Sequence, residues 1–277
     1  MLDFYSVIAE LYEQFQDFDI NKLPELWATF LDTEYKKSVA TINEADSDFV
    51  RSEDRLALDL GCGTGSVTMA LAEKGWQVIG VDNSAKMLEV AESKINYQIK
   101  DNSFVDNKDY LTETLKVKFV LQDILNLELK EQADLIYTSL DVFNHLDEEE
   151  LLDVLRNSYT QLKDGGILIF DLHSLEYMQT DLGNNTYHSV TDDNVIIWEN
   201  DFSESDLTNE AVITVFKKEA DGRFKRESSS LLEYYHFPKL VIEYLEFLGM
   251  KVEYIKDTEF TDMWDSKRIF IKASKSL

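Results

Sequence analysis

The stretch Leu58-Asp59-Leu60-Gly61-Cys62-Gly63-Thr64-Gly65-Ser66 decides the fold. An apolar run, Leu56 to Leu60, leads into three glycines at alternate positions, and a helical pattern of Val67, Met69, Ala70 and Leu71 begins at once. A strand, a tight turn and a helix N-terminus in that order form the junction at which open α/β sheets hold nucleotide-like ligands. Glycine permits positive φ there and lets a ligand reach backbone that a Cβ would screen.

The spacing and the charges narrow the ligand. A dinucleotide fingerprint places its third glycine three residues after the second; Ser66 stands there, and the third glycine comes one residue early, at Gly65. A P-loop needs Lys and Ser or Thr after its glycines, yet no Lys or Arg occurs between Arg55 and Lys74. Acids close the strands instead: Asp59 before the turn, Asp82 after Val78-Ile79-Gly80-Val81, and Asp123 after Phe119-Val120-Leu121-Gln122. Carboxylates converging on one ligand repel a pyrophosphate. They suit an adenosine, a ribose diol and positive charge, and S-adenosylmethionine, with its sulfonium and ammonium groups, fits.

The same segments resemble the motifs of class I S-adenosylmethionine-dependent methyltransferases over roughly residues 50 to 175. Leu58 to Gly65 resembles the first motif, Val78 to Leu88 the second and Gln122-Asp123-Ile124 the third; Ala133 to Tyr137 and Leu162 to Asp171 resemble the fourth and fifth strands. The resemblance implies an α/β, doubly wound, Rossmann-like fold with a seven-stranded sheet, mostly parallel with the last strand antiparallel. As cofactor contacts it implies Gly61, Cys62, Gly63 and Gly65 of the turn, with Asp59 at the methionine end, partly through water. It also implies Asp82 at the ribose, within a motif that includes Asn83 and Met87, and Asp123 at the adenine, between Gln122 and Ile124.

Composition bounds the partners. With 54 acidic and 27 basic residues among 277, the formal charge is −27. Such a field repels the phosphate backbone that Lys and Arg would have to hold, which disfavours nucleic acid, and anionic membranes are disfavoured for the same reason. The lone cysteine, Cys62, allows no intramolecular disulfide and matches a reducing compartment. Set between turn glycines, it reads as a small residue fitted to a tight turn rather than as a nucleophile. No basic-then-apolar leader opens the chain, and no apolar run approaches the ~20 residues of a transmembrane helix. The expectation is a cytoplasmic monomer or homodimer acting on a small-molecule acceptor. No Cys/His group has zinc spacing and no calcium loop is present, so no metal is expected.

Around the motifs the chain divides into distinct patterns. Residues 3 to 45 read as helical, with Phe4, Ile8, Leu11, Tyr12 and Phe15 near helical spacing. This segment resembles the aromatic N-terminal lid of small-molecule methyltransferases: Phe4-Tyr5, and Tyr12-Glu13 where the family has Tyr-Asp. The resemblance implies Tyr12 at the cofactor and Tyr5 at the acceptor; the alternative is an amphipathic helix packed on the sheet. Strands are predicted at 56–60, 77–81, 117–121, 133–137 and 166–171, and helices at 66–74, 84–93 and 147–162. Asp147 with Glu150 marks the start of the last helix. The polar stretch Asn96 to Lys116 reads as an insertion or long loop.

From Tyr187 to Tyr235 the period becomes that of strands, with Asp221-Gly222 as a hairpin signal. Residues 177–235 are therefore expected to form an inserted antiparallel β lid, and 1–176 with 236–277 the methyltransferase domain. A helix at 238–248 and strands at 251–255 and 268–273 close the sheet. The insertion resembles the β-sheet lid of bacterial small-molecule methyltransferases, among them those similar to glycine and sugar N-methyltransferases.

Methyl transfer from a sulfonium is an in-line displacement, so the protein aligns the partners and excludes water. An amine acceptor need only be bound unprotonated; a hydroxyl needs a base. Two clusters qualify for that role. In Thr138 to Leu146, Ser139 and Leu140 are candidates to touch the cofactor, while Asp141, Asn144 and His145 are candidates to face the acceptor, against the alternative of local loop capping. In Asp171-Leu172-His173-Ser174, His173 is a candidate for proton transfer or a polar residue at a strand exit. Tyr234, Tyr235 and His236 either line the acceptor pocket or pack the lid. An RNA or protein methyltransferase of this fold, a catalytically silent cofactor-binding module and, more remotely, a nicotinamide oxidoreductase are the competing readings.

Overall fold

The computed structural model describes residues 4–12, 22–45, 54–101, 116–127, 130–254 and 267–277. Phe15 and most of the polar stretch after Asn96 lie outside them. Strand β1 (Leu56–Leu60) enters the glycine turn, and helix α3 (Ser66–Glu73) leaves it. Two helices precede β1: α1 (Phe4–Ile8) and α2 (Leu23–Ala45). Then follow β2 (Gln77–Asp82), α4 (Ala85–Asp101), β3 (Val117–Leu121), β4 (Ala133–Tyr137), α5 (Glu148–Gln161) and β5 (Leu162–His173). The predicted strands appear within a residue at most ends, but β5 is longer than expected and α4 continues into the stretch read as a loop.

Helix α5 begins where the acids predicted. The Asp147 carboxylate accepts from the Glu150 N–H at 2.9 Å, and the Glu150 carboxylate accepts from the Asp147 N–H at 3.0 Å.

After β5 the chain builds a separate four-stranded antiparallel sheet, β6 (Thr186–Val190), β7 (Asn194–Ser203), β8 (Thr208–Lys218) and β9 (Phe224–Tyr234), in that spatial order. Gly222, at φ 82°, sits in the turn between β8 and β9. Helix α6 (Pro238–Phe247), β10 (Met250–Tyr254) and β11 (Arg268–Lys275) return to the main sheet, whose order is β10-β11-β5-β4-β1-β2-β3. Strand β11 is antiparallel to both β5 and β10, and the other pairings are parallel.

Successive residues of β1 supply the two faces of the core, as a strand's period of two requires. Ala57 packs with Trp27, Leu31, Tyr35 and Leu71, from α2 and α3. Leu56, Leu58 and Leu60 pack with Leu151, Leu155 and Leu245, from α5 and α6. Helices thus cover both faces, and the strand order reverses between β1 and β4, leaving a crevice at their C-terminal ends.

This arrangement corrects the reading of residues 1–45 as one lid. Trp27, Leu31 and Tyr35, four residues apart, are buried on the sheet, so α2 is part of the core. Among the described residues it is α1 and Leu11 that pack on the lid sheet, with Phe4, Val7, Ile8 and Leu11 against Ile196, Ala211, Ile213 and Val215.

Candidate active site

The glycine turn stands at the crevice. Gly61, Gly63 and Gly65 have φ of 72°, 53° and 73°, which other residues adopt only with strain. The Gly61 and Cys62 N–H groups donate to the Val81 carbonyl at 2.8 and 3.0 Å, tying the turn to β2. A Cβ on Gly61 would lie 2.7 Å from the Val142 methyls and one on Gly65 2.5 Å from the Phe119 ring, whereas one on Gly63 would meet nothing within 4 Å. Gly63 therefore presents bare backbone to open space. The Cys62 sulfur covers Gly80, where an added Cβ would come within 2.9 Å of it. Burial raises its thiol pKa well above the ordinary value, which removes it as a nucleophile.

At the tip of β2 the Asp82 carboxylate accepts from the Gly63 N–H and the Ser84 N–H, both at 2.8 Å. It thus binds the turn to the start of α4. Asp59 sits beneath the turn, 1% exposed, and its Oδ2 accepts from Thr68 at 2.6 Å and Tyr137 at 2.9 Å. Burial raises its pKa to about 7 despite those two hydrogen bonds, with the Asp82 charge adding to the rise.

A cavity of about 760 Å³ opens between the turn and the lid. Its floor is formed by Gly61, Cys62, Gly63, Thr64 and Asp82, with Asn83 and Met87 beside them. Asp123, Ile124 and Leu125 form one side; Ser139, Leu140, Val142 and His145 form another. The roof comes from Phe4, Tyr5 and Tyr12 and from Ser229, Ser230, Leu231, Leu232 and Tyr234 of β9. Among the described residues the wall holds the carboxylates of Asp82, Asp123 and Glu150 and no lysine or arginine. This donor set fits a cationic sulfonium and an uncharged nucleoside, and opposes a pyrophosphate.

Behind His145 lies a buried charge cluster. Leu140 and Asp141 both have positive φ, 64° and 61°, an arrangement that costs on the order of 1–3 kcal/mol per residue unless neighbours impose it. Here the Asp141 N–H donates to Asp171 at 3.2 Å, while Arg268 bridges Asp141, at 2.6 Å, and Asp171. Burial opposes the Asp141 charge, but the Arg268 guanidinium outweighs it and holds the carboxyl well below its usual range. Asp171 is pushed up by burial and by the Asp141 charge, despite Arg268. The His173 ring lies 3.5 Å from Asp141 and the His145 ring 3.8 Å. Asp141, His173 and Glu233 bring ligand-type atoms within 4.8 Å of one another, but the guanidinium already supplies a cation beside Asp141.

The structure sorts the expected residues. The cavity wall collects Gly61, Cys62, Gly63, Asp82, Asn83, Met87, Asp123, Ile124, Ser139, Leu140, Tyr5, Tyr12, His145 and Tyr234. Others expected at the ligand stand away from it. Asp59 lies beneath the turn, Gly65 faces the Phe119 ring rather than the cavity, and the Gln122 amide donates to the Asn126 carbonyl at 2.8 Å. Asn144 is fully buried, with its amide donating to the Tyr234 carbonyl and accepting from the His173 N–H, so both its ends are committed to backbone. The His236 ring lies 3.0 Å from the Phe143 carbonyl. Tyr235 packs with Met178, Leu182 and Phe202. Asp141 and His173 stand behind His145.

Sequence reasoning missed Arg268, Glu150 and Ser229 to Leu232. Asp171, an acid at the end of an apolar strand, signalled a buried partner without saying which, since Asp59 in a like place is held by the Thr68 and Tyr137 hydroxyls.

Residues 57–166 match a family model described as a methyltransferase domain. The putative methyltransferase YqeM of Bacillus subtilis (strain 168) is 30% identical over 230 residues, covering 79% of this chain and 83% of that protein. The crystal structure of an S-adenosylmethionine-dependent methyltransferase from Clostridium acetobutylicum ATCC 824 superposes with a TM-score of 0.71 at 25% identity, covering 98% of this chain and 97% of that one. The sugar N-methyltransferase KedS8 from Streptoalloteichus sp ATCC 53650 shares the fold, with a TM-score of 0.67 at 16% identity and coverage of 97% and 92%. With the glycine turn, the acid-tipped strands and the sheet order in place, the chain belongs to the class I S-adenosylmethionine-dependent methyltransferases.

Proposed function

We propose that the enzyme methylates nitrogen or oxygen of a small-molecule acceptor held under the β lid. The observation that carries this reading is the roof of the cavity. Residues of α1, Tyr12 and β9 cover the glycine turn, leaving a volume in the range of small-ligand pockets. The absence of lysine and arginine from the described wall argues against a nucleic-acid acceptor. A protein that shares this fold is named as a sugar N-methyltransferase.

S-adenosylmethionine, when bound, supplies the electrophilic methyl group. The Gly61 to Thr64 backbone would cradle it, Asp82 with Asn83 would hold the ribose, and Asp123, Ile124 and Met87 would flank the adenine. Tyr12, Ser139 and Leu140 would close over it. On the acceptor side, Tyr5 and Tyr234 offer hydroxyls. His145 is the imidazole on the wall that takes up the proton released on methylation of N–H or O–H. Asp141 and His173 then act as positioning residues behind His145. The test is turnover of S-adenosylmethionine with a library of amines and hydroxy acids: formation of S-adenosylhomocysteine with a methylated library member supports the reading. Cofactor binding without turnover of any member would favour a silent module or a macromolecular acceptor.

A further inference from the structure

We propose that the acceptor carries an amide and pairs through it with the outer edge of β9, which no described strand pairs, and this makes amino-acid amides and short peptides its class; it rests on the small-molecule reading above. Strand β9 is the last in the lid sheet and pairs only with β8 among the described strands. Its hydrogen-bond parity follows from two contacts. The Tyr235 N–H donates to the Leu207 carbonyl at 2.9 Å, so the neighbouring pair, Thr208 and Tyr234, is of the non-hydrogen-bonded kind, with its N–H and C=O turned away from the partner strand. The Tyr234 carbonyl confirms the parity by accepting from Asn144 on the outer side, at 2.8 Å. By the same alternation Leu232 and Ser230 turn their N–H and C=O groups to the outer edge, away from β8.

Those two residues line the cavity together with Ser229 and Leu231. Consecutive strand residues point to opposite faces, so a cavity touching all four runs along the edge itself. Asn144 shows that a carboxamide docks on this edge, and the positions two and four residues back along β9 present the same groups to the ligand space. The outward sites of Ser230 and Leu232 are ~6.6 Å apart, the two-residue repeat of an extended chain, and match an acceptor of two or three residues.

The composition of β9 agrees. Charged side chains blunt edges against unwanted pairing; Lys225, Arg226 and Glu227 occupy the far half of the strand, while Ser228-Ser229-Ser230-Leu231-Leu232 has none. The uncharged stretch is the one at the cavity.

The experiment compares kcat/KM for a simple primary amine, a dipeptide amide, and an ester analogue in which the paired amide N–H is replaced by oxygen. The enzymes are the intact protein and Leu232→Pro, and S-adenosylhomocysteine titration checks that the variant is folded. Proline at 232 removes an N–H that β8 does not use and is tolerated on an edge. The expected result is that the peptide outperforms the simple amine, and that the ester and Leu232→Pro each lower kcat/KM for it about tenfold, the loss of one hydrogen bond to a polar edge. Equal rates for amide and ester overturn the proposal. So does a Leu232→Pro variant that binds S-adenosylhomocysteine normally and retains peptide kinetics. If Leu232→Pro does not fold, the amide–ester comparison decides. Methylation of simple amines but of no peptide sinks this inference and leaves the small-molecule reading standing; no small acceptor of either kind sinks both.

Discussion

The Tyr5 hydroxyl lies 2.7 Å from Nε2 of His145, joining the first helix to the loop after β4 across 140 residues of sequence. The two rings also meet edge to face, 5.7 Å between centroids. Burial and the surrounding acids and Tyr12 raise the Tyr5 pKa well above its ordinary value, so the hydroxyl keeps its proton. The contact therefore ties α1 to the imidazole on the cavity wall.

Replacing Tyr5 with Phe keeps the ring and deletes the hydrogen bond. Steady-state kinetics of Tyr5→Phe should show kcat/KM lowered about tenfold, with S-adenosylhomocysteine affinity nearly unchanged. In a double-mutant cycle with His145→Ala the two losses should be less than additive. Additive losses would mean that the contact does not couple the residues.

The turn glycines should separate fold from binding. Gly61→Ala combines a φ of 72° with a Cβ 2.7 Å from Val142, and urea unfolding should show a loss of about 2–5 kcal/mol. Gly63→Ala meets no atom, so stability should fall by only about 1–2 kcal/mol, while S-adenosylhomocysteine binding weakens because the new methyl enters the cradle. Equal affinity in Gly63→Ala and the parent would move the ligand away from this turn.

Asp59 gives a pH signature. Its pKa rises from 3.8 to about 7 on folding, so between those values the native state holds a proton that the unfolded chain has released. Stability from this group is fully present below pH 3.8 and is lost as pH rises through about 7, by a few kcal/mol at most. Asp59→Asn, which mimics the protonated form, should remove that decline. Urea midpoints measured from about pH 5 to 8 should diverge, with Asp59→Asn gaining on the parent as pH rises; parallel profiles would show that the carboxyl titrates normally.

Arg268 closes the charge cluster. Arg268→Met leaves Asp141 and Asp171 buried without their cation, and should cost about 3–5 kcal/mol in equilibrium unfolding. A loss below about 1 kcal/mol would show that water reaches the two carboxylates.

Local pattern made the sheet legible. Strands at 56–60, 117–121 and 133–137 are mostly apolar runs, each with a single charged residue (Asp59, Lys118, Asp134), and they form where they read. Helix α2 was grouped with the lid because residues 3 to 45 read as one helical segment whose Phe4-Tyr5 and Tyr12-Glu13 resembled a lid; the four-residue spacing of Trp27, Leu31 and Tyr35 already marked a buried stripe. The glycines, Asp82 and Asp123 were legible since backbone geometry and strand ends place them by themselves. Arg268 was not, because only the antiparallel register of β11 on β5, which sets Arg268 opposite His173, brings it to Asp141. For Asn144 and His236 the sequence left two readings open, ligand or packing, for a related reason: a polar side chain on a loop is as well suited to backbone across the fold as to a ligand, and their backbone partners, Tyr234 and Phe143, lie about 90 residues away in sequence.

The most direct measurement is calorimetric titration of the parent and Asp82→Ala with S-adenosylhomocysteine, using NAD as control. The account predicts micromolar binding to the parent, none of NAD, and a loss of about 2–5 kcal/mol in Asp82→Ala, since a charged acceptor disappears from the ribose end of the cavity. Undiminished affinity in a folded Asp82→Ala protein would contradict it.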